Sequence, residues 1–141
     1  MHLTHLVIDT ILDLKNKEMV NLTMNQSKIN LVLTGLFAFA MSGSAFMSLS
    51  QNPEILEAYA HLQVPAHLTY LLGTLKALGV IALFLGQLPK IKEWAYAGFS
   101  FNLLGALYLH LMAGDPLVKS LPVLVLFGIL MGSYWTQAKK D

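Results

Sequence analysis

The chain has no cysteine. Disulfides, thiol redox chemistry, thiolate-held iron–sulfur clusters and Cys-rich zinc sites are therefore excluded. It has no arginine either: all nine basic residues are lysine. The planar guanidinium that reads phosphates and guanines bidentately is missing. Charge of any kind is scarce. Charged residues make up 12% of the sequence, about half the ~25% of soluble domains. The net charge is +1, so no electrostatic case for nucleic acid exists. No Gly-rich phosphate loop, GxSxG elbow, HExxH pair or carboxylate dyad occurs in the apolar stretches, and no metal site is expected.

What the chain has is apolar length. Its 141 residues are 55% hydrophobic with mean hydropathy +0.58. A membrane helix needs roughly 20 mostly apolar residues to cross ~30 Å of hydrocarbon. Four stretches qualify: Ile29–Leu49, Ala66–Leu88, Trp94–Ala113 and Leu117–Trp135. The links between them are about 16, 5 and 3 residues, and links that short make neighbouring helices antiparallel. The expected fold is all-α: an integral-membrane antiparallel four-helix bundle over residues 28–137, with a short tail at 138–141.

Lysine placement sets the expected orientation. Lys28, Lys90, Lys92, Lys139 and Lys140 fall on one side of the bundle. That side is expected to be cytoplasmic, with both termini inside. Trp94 and Trp135 fall at the same interface. Tyr59, Tyr70 and Tyr108 fall towards the other, as aromatic belts do.

Residues 1–27 differ in composition. Leu3, Leu6, Val7, Ile11 and Leu14 recur at helical spacing, with charges mostly elsewhere. Two readings stand. One is an amphipathic helix lying on the membrane surface. The other is that residues upstream of Met19 or Met24 precede the true start.

Between the first two spans, Asn52-Pro53-Glu54 has the marks of a helix start: a capping side chain, a first-turn proline and an acid at the positive end. A short interfacial helix is expected there. Glu57 and His61 are four apart and within reach of each other. The connector has two readings: plain, or a lid carrying Glu54, Glu57 or His61 towards the bundle interior.

Lys76 is the most informative residue. At 1.5 Å per residue it lies roughly 15 Å from Ala66, near the midplane. A lysine at that depth costs ~2.5–3.5 kcal/mol on insertion scales. No Asp or Glu lies in any span to offset it. Thr69, Lys76 and Gln87 share a narrow sector of span 2, beside Gly73, so this stripe should face protein. Asn102 reaches nearly the same depth on span 3, and a Lys76–Asn102 contact is expected. Small residues once per heptad allow close helix approach in lipid. Gly79 in span 2, with Gly98 and Gly105 in span 3, fit that pattern. Gly128 and Gly132 form a GxxxG pair in span 4, serving either packing within the bundle or a dimer face. His110 sits near the end of span 3 at the level of Thr69 and Tyr70. A hydrogen bond to Tyr70 or the first loop, or a role in proton handling, would suit it.

The segment from Lys76 and Gly79, through Pro89-Lys90-Ile91-Lys92-Glu93-Trp94-Ala95-Tyr96-Ala97-Gly98, to Gly105-Ala106 and His110…Gly114-Asp115, resembles the DoxX-like family of small four-helix bacterial membrane proteins. The resemblance covers roughly Asn30 to Trp135, leaving the N-terminal extension outside. Lys76, Glu93, Trp94, Gly98, His110 and Asp115 match the pattern. The family takes its name from the small subunit of an archaeal thiosulfate:quinone oxidoreductase, and some animal relatives resemble assembly chaperones. The resemblance transfers no catalytic set. Three functions follow as expectations. The first is an accessory protein that binds a small apolar molecule (quinone or lipid) or a membrane-protein partner, without catalysis of its own. The second is the membrane subunit of a quinone-linked oxidoreductase. The third is a small oligomeric transporter or proton pathway.

Overall fold

The computed structural model describes residues 1–138. Lys139, Lys140 and most of the short tail lie outside the described residues. Helix accounts for 88% of the described chain, and no strand occurs among these residues. The elements are α1 (His2–Leu49), α2 (Pro53–His61), α3 (Ala66–Leu83), α4 (Pro89–Met112) and α5 (Leu117–Ala138).

Helix α1 is continuous over 48 residues, roughly 72 Å at the standard rise. That is more than twice the hydrocarbon thickness, so only part of it can lie within a bilayer. Residues 1–25 are exposed on every face. Burial begins near Asn30 and continues through Thr34, Phe37, Ala38, Met41, Ala45 and Ser48 at helical spacing. The extension and the first apolar stretch are thus one helix with no break between them.

Helix α2 begins as its residues dictate. Asn52 Oδ1 accepts the Glu54 N–H at 2.9 Å, and Pro53 occupies the first turn, where no N–H is needed. Helix α3 ends at Leu83, five residues before the end expected from hydropathy. Turn bonds at Phe84, Leu85 and Leu88 replace the last helical turn. Pro89 then opens α4, so the helix starts before Trp94. A proline at the first helical position is favoured because its ring presets φ. The break between the two helices therefore lies at residues 84–88, upstream of the lysines.

Helix α1 packs on α3 and α5, and α4 packs on α3 and α5; α2 touches α3 and α1. The core holds Phe37, Met41, Leu83, Ala95, Tyr96, Phe99, Leu103 and Leu130. Phe37 and Phe99 meet edge-to-face with centroids 4.9 Å apart, a favoured aromatic geometry. Among the described residues, three helices are long and apolar enough to cross a membrane: α1, α3 and α5. Helix α4 is not one of them; Ser100, Asn102 and His110 lower its hydropathy.

Two glycines of the expected packing set make close contact. A Cβ at Gly79 would lie 2.8 Å from the Phe99 ring, and one at Gly132 would lie 3.2 Å from Leu33 Cδ1. Gly98, Gly105 and Gly128 have nothing within 4 Å, so they do not bring helices of this chain together. Gly73, outside that set, is as closely met by α1: a Cβ there would lie 2.9 Å from Ser48 Cβ and 3.3 Å from the Ala45 carbonyl oxygen.

Candidate functional site

Thr69, Gly73 and Lys76 form the buried face of α3. The stripe faces protein, but its partner is α1 and not α4. Lys76 is 8% exposed. Its ammonium donates to Ser44 Oγ on α1 and to the Tyr59 hydroxyl on α2, both at 3.0 Å. The nitrogen also lies 5.7 Å from the Tyr59 ring centroid, within cation–π range. Side chains on a helix lean towards its N-terminus. The lysine stem therefore carries the charge towards the end of the structure where α2 lies.

The expected hydrogen bond between Lys76 and Asn102 is not formed; the amine is drawn towards Ser44 and Tyr59 instead. Both residues nevertheless line one groove between α3 and α4, about 770 Å³ in volume. Its walls are Leu72, Leu75, Leu78 and Ile81 from α3 and Leu85 from the turn after it, with Ile91, Trp94, Phe99 and Phe101 from α4; Gly79 and Gly98 also line it. Lys76 and Asn102 are its polar lining. No carboxylate lies within ion-pair distance of Lys76 among the described residues.

Glu54 and Glu57 are exposed, and no acid of α2 reaches the lysine. The α2 residue that does reach it is Tyr59. In the sequence it stood out only as a member of the outer aromatic belt. Tyr70 is exposed. Thr69 is fully buried and accepts a hydrogen bond from Gln51 Nε2 at 2.8 Å.

A second cluster ties the same end together. Gly114 takes φ +73° beyond the end of α4. The Gly114 N–H bonds the Leu111 carbonyl and the Asp115 N–H bonds the His110 carbonyl. This is a Schellman closure, and glycine suits it because the left-handed region costs it nothing. It sets the Asp115 carboxylate against its surroundings. His110 Nδ1 lies 2.7 Å from Oδ2, while His61 Nε2 at 2.9 Å and Lys119 Nζ at 3.0 Å meet Oδ1. The carboxylate is 4% exposed. The hydrogen bond from His110, then those from Lys119 and His61, holds its pKa well below the ordinary 3.8. His110 and His61 are thus drawn to Asp115, not to Tyr70 or Glu57. No group of His, Asp and Glu able to hold a metal ion occurs among the described residues.

At the opposite end, Ser133 is a polar hub that helical periodicity did not reveal. Its hydroxyl bonds Thr34 Oγ1 at 2.6 Å and the Tyr96 hydroxyl at 2.8 Å. Asn30 Nδ2 donates to the Ser133 carbonyl at 2.7 Å and to Thr136 Oγ1 at 3.1 Å. Lys92 Nζ donates to Gln137 Oε1 at 2.9 Å. The spacing of Asn30 and Thr34 against Ser133 and Thr136 was the available signal; the register between α1 and α5 was not.

A model of the DoxX-like family matches residues 32–133. The chain belongs to the DoxX-like family. With its apolar helices it is a membrane protein of that family and contacts lipid. No curated protein and no solved structure matches it. The matched DoxX-like segment includes Ser44, Tyr59, Lys76, Asn102 and the Asp115 cluster. The exposed first half of α1 lies outside the match.

Proposed function

We propose that this DoxX-like protein is an accessory membrane protein. It binds a small apolar molecule, a quinone or lipid, in the α3–α4 groove and performs no catalysis of its own. The supporting observation is that Lys76 and Asn102 sit together in an otherwise apolar groove. Ligand sites have this composition: mostly apolar walls with a few placed polar groups. A membrane-buried lysine is a functional-site signal by default.

The same reading places the groove in the bilayer. The second half of α1, with α3, α4 and α5, forms an antiparallel four-span bundle. Helix α4 spans too, since its 24 residues reach roughly 36 Å and it is packed between α3 and α5. Lys28, Lys90 and Lys92 gather at the Ser133 end, which is then cytoplasmic, in a bacterial inner membrane. A groove between two spans opens sideways to lipid, the phase in which such ligands are dissolved.

Gly98 provides the test. Its Cβ position is open and it lines the groove, so Gly98→Leu directs added bulk into the ligand space. The wild type in detergent should gain melting temperature with decylubiquinone or an added lipid, and Gly98→Leu should gain none. A wild type indifferent to every apolar compound would refute groove binding.

A further inference from the structure

We infer that the groove selects a single-chain amphiphile with an anionic head, of the free-fatty-acid class, over neutral amphiphiles. This rests on the groove-binding reading and specifies its ligand. The argument is a surplus of hydrogen-bond donors. An ammonium has three N–H groups and no acceptor. Lys76 uses two on the neutral hydroxyls of Ser44 and Tyr59, and the third has no acceptor among the described residues. Each hydroxyl accepts from the ammonium, so its own proton points elsewhere. The Asn102 amide, with two further N–H donors, makes no side-chain hydrogen bond among the described residues.

Against these donors stands no carboxylate. All four ion pairs of the described residues lie elsewhere: one within α1 and three on Asp115. A charge that is 8% exposed and lacks a counter-ion costs free energy in a low-dielectric setting. A carboxylate arriving on an apolar tail would supply the missing charge and the acceptors together. The volume, about 770 Å³, lies within the range of ~300–1,000 Å³ usual for one small molecule.

The test uses the full chain in non-ionic detergent. Oleate, oleyl alcohol and decylubiquinone are compared by equilibrium binding and by melting temperature. Oleate should bind about tenfold or more tightly than oleyl alcohol, the discrimination expected of a charge-assisted hydrogen bond. Lys76→Met should remove the preference. If Lys76→Met fails to fold, Lys76→Gln and Asn102→Leu replace it, each weakening oleate more than oleyl alcohol. Equal binding of oleate and oleyl alcohol to the wild type would overturn anion selection while leaving groove binding intact. An oleate preference that survives Lys76→Met would also overturn it, by putting the anion elsewhere. Binding of none of the three compounds would overturn both readings.

Discussion

The Tyr59 hydroxyl lies 3.0 Å from Lys76 Nζ, so α2 is pinned to the buried charge of α3 across 17 positions of sequence. Removing that hydroxyl should cost about 1.5–3 kcal/mol, the range for a hydrogen bond to a charged group. Tyr59→Phe keeps the ring and its cation–π contact. Its melting temperature should fall, and amide exchange in α2 should rise more than in α4. Unchanged exchange in α2 would show that Tyr59 does not hold that helix down.

Asp115 sets a pH dependence. Its folded pKa lies below 3.8, owing to His110 first, then Lys119 and His61. The unfolded chain therefore takes up the proton first as pH falls. The stabilisation is fully present above 3.8 and is lost as pH drops through the window beneath it. Melting temperature followed from about pH 6 down to about pH 3 should decline at the acid end. Asp115→Asn should start lower at neutral pH and show a shallower acid decline. Parallel curves for the two proteins would remove Asp115 from the account.

Local chemistry made much of this legible in advance. Asn52 and Pro53 begin α2 where their capping geometry requires. The lysine without an acid was visible as a group in need of partners. The partners themselves were not. Tyr59 meets Lys76 because of how α2 folds back against α3, and Ser44 because of the register between α1 and α3; no periodicity encodes either. The His110…Gly114-Asp115 spacing stood out as a pattern, but its meaning lay in the left-handed turn at Gly114. The end of α3 was misplaced because hydropathy stays high to Leu88, while Gly86 and Pro89 decide the break. Pro89 was the better signal, since it favours a first helical turn.

Small residues test whether α1 and α3 meet as closely as described. A Cβ at Gly73 would lie 2.9 Å from Ser48 Cβ and 3.3 Å from the Ala45 carbonyl oxygen. Backbone cannot swing aside as a side-chain tip can, so Gly73→Ala should cost roughly 1–3 kcal/mol through overpacking. Gly128→Ala meets nothing within 4 Å and should stay within about 0.5 kcal/mol of wild type. Thermal melts of the two variants in one detergent give the comparison. Equal melting temperatures would contradict the close α1–α3 approach. A large loss at Gly128→Ala alone would point to a partner on the exposed face of α5.

Ser133 is the corresponding test at the other end. Its hydroxyl joins Thr34 of α1 and Tyr96 of α4, which puts one small side chain between three helices. Ser133→Ala removes the shared partner and leaves two buried hydroxyls behind. An unsatisfied buried polar group costs about 1–3 kcal/mol. The double variant Ser133→Ala with Tyr96→Phe also removes the stranded phenol, leaving a single orphan at Thr34. It should therefore be less destabilised than the sum of the two single variants. That sub-additivity is the signature of a shared hydrogen bond, and chemical or thermal denaturation of the three variants measures it. Strict additivity would mean that Tyr96 and Ser133 contribute independently and that the hub does not couple α4 to α5.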